Sequence, residues 1–155
     1  MEKKIFLLAD DDMDDRGMFC EALEIIDNNI VCHAVSDGRD ALHALNSLNT
    51  KPLLIFLDIN MPVMNGWQCL EKIKADDRYN DIPVIIISTS SHQREMDIAR
   101  NMGALCYFTK PLHFDELTDV LRIIAGNIGP ELPSALKYIE SGVSKYVHTF
   151  PRDNY

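Results

Sequence analysis

Three carboxylates, a lysine and a run of hydroxyls each stand where an apolar stretch ends. Asp10-Asp11 follow residues 4–9, Asp58 follows 53–57, Ser88-Thr89-Ser90-Ser91 close 84–88, and Lys110-Pro111 follow 105–109. Carboxylates brought together repel and raise one another's pKa, so they need a compensating cation. Hard oxygen donors with no nearby Cys or His pair select Mg²⁺, which favours one or two carboxylates, water and a phosphate oxygen. A cation, a lysine and a hydroxyl around one remaining carboxylate make a phosphoryl-transfer site, whose work is positioning and charge neutralisation. A carboxylate can itself be the nucleophile, and the acyl phosphate it forms is labile, suited to a temporary signal.

Those residues meet only if the apolar runs are parallel strands. Residues 4–9, 30–35, 53–57, 84–88 and 105–109 read as strands, the third apolar throughout as a strand buried on both faces should be. Between them Phe19, Ala22, Leu23 and Ile26 share one helical face, as do Ala41, Leu42, Leu45 and Leu48. Further helices are predicted over 67–75, 93–102 and 114–125, the last two stopped by Gly103 and Gly126. Repeated β-α units with right-handed crossovers give an α/β domain: a five-stranded parallel sheet with helices on both faces. All strand C-termini then share one edge, where open α/β sheets put their chemistry. Pro62, Asn65 and Gly66 force the turn after Asp58.

The 155 residues and 46% hydrophobic content suit one domain with its own core. No apolar run approaches the ~20 residues of a membrane span, and the N-terminal apolar run is too short for a signal-peptide core. A cytoplasmic location is the default expectation. Cys20, Cys32, Cys69 and Cys106 form no C-x-x-C pair and read as small buried hydrophobes. A net charge of −9 argues against nucleic acid as a direct partner. That excess lies wholly within residues 1–125, because acids and bases balance over 126–155.

Gly126-Asn127-Ile128-Gly129-Pro130 reads as a helix stop and linker. Domain boundaries are therefore set at 1–125 for the site-bearing domain and 126–155 for a C-terminal extension, helical in part, with no separate output domain. The extension carries Leu132, Leu136, Ile139, Val143 and Val147. Three readings stay open for it: packing on its own domain, a homodimer or partner contact, and disorder.

Several polar residues have a plain structural reading. Asp12, Asp14 and Asp15 complement a helix start, with Asp14 or Asp12 the N-cap. If Ser88 faces the site, strand alternation points Thr89 away. His33, His43, His92, His113 and His148 show no metal-binding spacing, and Trp67 is explained by packing.

Taken together, Asp10-Asp11, Leu57-Asp58-Ile59-Asn60-Met61-Pro62-Val63-Met64-Asn65-Gly66, Ser88-Thr89 and Lys110-Pro111 resemble the receiver domain of two-component response regulators. The resemblance spans roughly residues 4–125, in that family's order and spacing, and implies a doubly wound, flavodoxin-like sheet of order 2-1-3-4-5. It implies that Asp58 accepts a phosphoryl group from a phosphohistidine on a sensor histidine kinase or a histidine phosphotransfer protein. It further implies Mg²⁺ on the side chains of Asp11 and Asp58, on the main-chain carbonyl of Asn60, and on Asp10 through water. Ser88 would donate its hydroxyl to one phosphoryl oxygen and Lys110 would pair with another, with a cis peptide between Lys110 and Pro111. Ser88 and Tyr107 would form the conformational switch, Tyr107 turning inward when Ser88 is drawn to the phosphoryl group. Output would be contact with a downstream protein or onward relay, without enzymatic turnover beyond its own phosphorylation and dephosphorylation. Residues 74–83 and the Ser-Thr-Ser-Ser run are similar to small single-domain regulators, including ones paired with phytochrome-type kinases.

Three rivals fit less well. An aspartate-nucleophile phosphatase needs a second Asp two residues after the nucleophile, and Asn60 cannot donate and retake a proton. A flavodoxin-like cofactor binder cradles phosphate after the first strand, where Asp10, Asp11, Asp12, Asp14 and Asp15 would repel it. A receiver-like interaction module that has lost phosphorylation would not need every expected group.

Overall fold

Alternation along the strands sorts apolar side chains onto two faces, and the computed structural model, which describes residues 3–150, has helices over both. Strands β1 (Lys4–Ala9), β2 (Ile30–Val35), β3 (Leu54–Asp58), β4 (Val84–Ser88) and β5 (Cys106–Thr109) pair in parallel in the order β2-β1-β3-β4-β5. Helices α1 (Met13–Ile26) and α5 (Phe114–Ala125) cover one face. Phe6, Leu8, Phe56, Ile85, Ile87 and Phe108 meet Phe19, Leu23, Leu117 and Leu121 there. Helices α2 (Gly38–Ser47), α3 (Gly66–Ala75) and α4 (Gln93–Asn101) cover the other, over Leu7, Ile55, Leu57, Ile86 and Tyr107. Strands β3 and β4 are buried at every position, as their unbroken apolar runs require.

The predicted third strand ended at Leu57, whereas the ladder runs one residue further, pairing Asp58 with Ile87. The phosphoacceptor candidate is thus the last residue of β3 and inherits the strand's rigidity.

The chain adds an element the five-strand reading lacked. After α6 (Leu132–Gly142), β6 (Val147–Thr149) pairs antiparallel with β5, making a six-stranded sheet. Three residues are too few for a period-two signal, and the pairing exists only because α6 folds back along α5. Leu132, Leu136, Ile139 and Val147 are all buried in the α1/α5 core. At ~1.5–3 kcal/mol for each side chain removed from water, this burial contributes roughly 6–12 kcal/mol before entropy is counted. Through Phe150 the extension therefore packs on its own domain; residues 151–155 lie outside the described residues.

The cysteine reading also needs correction. Cys20 on α1 and Cys32 on β2 are joined as a disulfide, their Cα atoms 5.4 Å apart, while Cys69 and Cys106 are free and buried. Only the α1–β2 turn brings positions 20 and 32 together, and nothing in their spacing announces it. Among the described residues, no helix is long and apolar enough to cross a membrane.

Candidate functional site

Strand parity decides which groups can meet. On β1 the even-numbered residues Phe6 and Leu8 face α1 and α5, as do Phe56 on β3 and Phe108 on β5. Continuing that alternation by two residues aims Asp10, Asp58 and Lys110 at the same side of the sheet end. The register agrees: Ala9 pairs with Leu57, so Asp10 and Asp58 come next, side by side. The sheet's order reverses between β1 and β3, which opens the crevice that the two acids line.

Lys110 closes this cluster. Its Nζ lies 2.8 Å from Asp10, 2.9 Å from Asp15 and 3.3 Å from Asp58, so three carboxylates share one ammonium. The Lys110 main-chain N–H donates to the Ser88 carbonyl at 2.7 Å, fixing the end of β5 to the end of β4. The Lys110–Pro111 bond is not the cis peptide that the resemblance implied: no cis bond occurs among the described residues. The trans form is favoured by ~0.5–1 kcal/mol at an X–Pro step. With it, both the main-chain bond to Ser88 and the ion pairs of Lys110 are made, so the lysine reaches the acids without the rarer isomer.

Buried charge shapes the electrostatics. Burial pushes the Asp58 carboxyl up to about 7; Lys110 pulls against this rise and Asp10 adds to it. Burial also works against the Lys110 charge, but hydrogen bonds to Asp10 and Asp15 and the field of Asp58 override it and hold the ammonium above its ordinary pKa. Carboxylate oxygens of Asp10, Asp11 and Asp58 lie within 4.8 Å of one another, Asp11 being the exposed member. An all-oxygen donor set with one side open to solvent suits a hard divalent cation.

The loop after β3 returns close to the buried Asp58. The Met64 N–H donates to the Pro62 carbonyl at 2.6 Å around Val63, whose φ of 67° places a β-branched residue in a γ-turn. Asn65 then caps α3 in a reciprocal capping box with Gln68. A Cβ on Gly66 would collide with the Asp58 carbonyl oxygen, so only glycine lets the loop return this close to the strand.

Ser88 and Tyr107 belong to the opposite face, over α3 and α4. Ser88 is buried and Thr89 exposed. The Ser88 Oγ accepts the Ser90 N–H at 3.1 Å, and the Tyr107 hydroxyl donates to the Ser90 carbonyl at 2.7 Å. Tyr107 is already turned inward and fully buried, and the His148 ring of β6 lies 6.2 Å from it. Asn60 is exposed beside the site.

Two participants escaped the sequence reading. Asp15, taken for a helix-start acid, bonds to Lys110 across 95 positions, a contact no local pattern reveals. Arg16 donates from Nη1 to the Asp10 carbonyl at 2.7 Å, tying α1 to the end of β1. Asp12 is the N-cap of the two candidates, accepting the N–H groups of Asp14 and Asp15.

Residues 6–122 match the family model described as the response regulator receiver domain. The chain belongs to that family. Among related receivers, the chemotaxis protein CheY1 of Helicobacter pylori strain J99 is 30% identical over 107 residues, 66% of this chain and 86% of that protein. A protein-glutamate methylesterase/protein-glutamine glutaminase of Clostridium acetobutylicum is 37% identical over 114 residues, 72% of this chain. The match spans only 32% of that protein, about a third of its length. Among solved structures, the phosphorylated cyanobacterial phytochrome response regulator RcpA superposes with a TM-score of 0.75 at 27% identity. That likeness covers 81% of this chain and 94% of RcpA. Receivers of this kind are phosphorylation-activated signalling modules, and neither the phosphatase nor the receiver-like module that has lost phosphorylation is favoured.

Proposed function

We propose that this receiver takes a phosphoryl group onto Asp58 from the phosphohistidine of a sensor histidine kinase or histidine phosphotransfer protein. The observation that carries the reading is the convergence of Lys110 on Asp10 and Asp58 at three strand ends, with Asp11 completing an oxygen donor set. The side chains of Asp11 and Asp58, the main-chain carbonyl of Asn60, and Asp10 through water would hold Mg²⁺. Bound there, the ion would supply positive charge against the acids and the incoming phosphoryl oxygens. An Asp58 carboxylate oxygen attacks phosphorus as the P–N bond breaks; the electron pair leaves with the imidazole, and an acyl phosphate forms. Lys110 pairs with one phosphoryl oxygen and Ser88 donates its hydroxyl to another.

Movement of Ser88 is passed through Ser90 to Tyr107 and so to the face made by α4 and β6. A differential stabilisation of a few kcal/mol is enough to shift such a two-state balance. Output is contact with a downstream protein or onward relay, with no turnover beyond the chain's own phosphorylation and dephosphorylation. We assign residues 1–125 to the receiver and 126–155 to its extension, and place the protein in the cytoplasm with its donor kinase. Incubation with a small acyl phosphate tests the reading. Mg²⁺-dependent labelling should vanish in Asp58→Asn and barely change in Asp12→Asn; undiminished labelling of Asp58→Asn refutes the assignment.

A further inference from the structure

Lys110 divides its ammonium among three carboxylates, and two of them, Asp10 and Asp58, also belong to the oxygen donor set of the cation site. The third, Asp15, stands outside that set and reaches Nζ at 2.9 Å. We propose that Asp15 is a positioning residue for phosphoryl transfer, anchoring the Lys110 ammonium at the strand end independently of Asp10 and Asp58. The inference rests on the phosphoacceptor reading of Asp58 given above.

The first turn of α1 is fixed in a way that suits this role. Asp12 accepts the main-chain N–H of Asp15 at 3.0 Å, and Arg16, the next residue, donates to the Asp10 carbonyl at 2.7 Å. Asp15 therefore departs from a turn held to Asp10 twice, by Arg16 and by the Asp12 N–H, which donates to the Asp10 carboxylate at 3.0 Å. The contact is not a solvated surface pair, since the side chains of Lys110 and Asp15 are 16% and 32% exposed. A lysine stem is long and flexible, and its freedom must be lost before the ammonium can hold a phosphoryl oxygen. When Asp10 and Asp58 serve the cation and the phosphoryl group, Asp15 is the partner left to restrain Lys110. Less ordering is then required at the moment of transfer.

The test is a double-mutant cycle on the full chain, using beryllium trifluoride with Mg²⁺ as a phosphoryl mimic and binding calorimetry as the readout. Asp15→Ala should weaken the mimic about tenfold, the effect of losing one restrained polar contact. Its affinity for Mg²⁺ alone should stay within about twofold, because Asp15 is not among the oxygen donors. In a Lys110→Ala background the Asp15 substitution should cost nothing further, since an anchor without its lysine has no function. Asp15→Asn, which keeps the shape and an acceptor oxygen, should lose less than Asp15→Ala. Wild-type affinity in Asp15→Ala overturns the inference, as does an equal loss with and without Lys110. If the wild-type chain binds no mimic and takes no phosphoryl group on Asp58, the phosphoacceptor reading fails as well. A failure confined to the Asp15 arms leaves that reading standing.

Discussion

Asp58 destabilises the metal-free protein, and removing its charge should make the fold stronger. Its carboxyl is raised from 3.8 to about 7, first by burial, with Lys110 opposing and Asp10 reinforcing. Between those two values the native state binds a proton that the unfolded chain has already released. Stability is therefore fully retained below the unfolded pKa and lost as pH rises through about 7. A gap of about three pH units at 1.36 kcal/mol each sets a ceiling of ~4 kcal/mol. Lys110 keeps Asp10 and Asp15 as partners when Asp58 is replaced, so the substitution leaves no orphaned ammonium. Asp58→Asn should then gain ~2–4 kcal/mol at pH 8, or roughly 5–10 °C in Tm for a domain of this size. The assay is thermal unfolding of both proteins in EDTA at pH 5 and pH 8. The advantage of Asp58→Asn should be large at pH 8 and shrink at pH 5, where wild-type Asp58 is itself mostly protonated. Added Mg²⁺ at pH 8 should raise the wild type more than the variant. An Asp58→Asn protein less stable than wild type at pH 8, or a difference independent of pH, would refute the reasoning.

Other consequences follow from single contacts. Lys110→Ala leaves three acids without their shared cation and should cost ~3–5 kcal/mol in EDTA by denaturant unfolding, with part of the loss recovered in Mg²⁺; an unchanged midpoint would contradict the ion-pair geometry. Gly66→Ala drives a methyl into the Asp58 carbonyl, so it should lose ~1–3 kcal/mol and most Mg²⁺-dependent labelling. A Gly66→Ala protein that labels like wild type would show that the loop does not set the Asp58 position. Truncation after Gly129 removes Leu132, Leu136, Ile139 and Val147 from the core, exposing the α5 side chains beneath. With ~6–12 kcal/mol of burial lost, the shortened chain should aggregate or melt far below the full chain. A truncated chain of undiminished Tm would mean that the extension is dispensable to the fold.

The acids, the lysine and the hydroxyl were legible in the sequence because each sits at the end of a strand with an unambiguous apolar run. Parity and parallel topology then put Asp10, Asp58 and Lys110 together without further information. The boundary of β3 moved by one residue because an acid reads as the end of an apolar run, whereas the ladder needs only its backbone. What stayed hidden depends on contacts between distant segments. Asp15 meets Lys110 only after α1 packs against α5, and Cys20 meets Cys32 only once α1 turns back into β2. The strand β6 has three residues and no pattern of its own; α6 delivers it to the β5 edge. The trans bond before Pro111 departs from the family resemblance, since X–Pro chemistry permits both isomers and the sequence does not choose between them.

The central claim is that Asp58 is the residue that becomes phosphorylated, and it can be read directly. The full chain is incubated with acetyl phosphate with and without Mg²⁺, reduced with borohydride, and mapped by peptide mass spectrometry. An acyl phosphate on Asp58 is converted to homoserine, so position 58 should carry that change only when Mg²⁺ is present. Homoserine at another aspartate, or none at position 58 in a chain that gains phosphoryl mass, would contradict the claim.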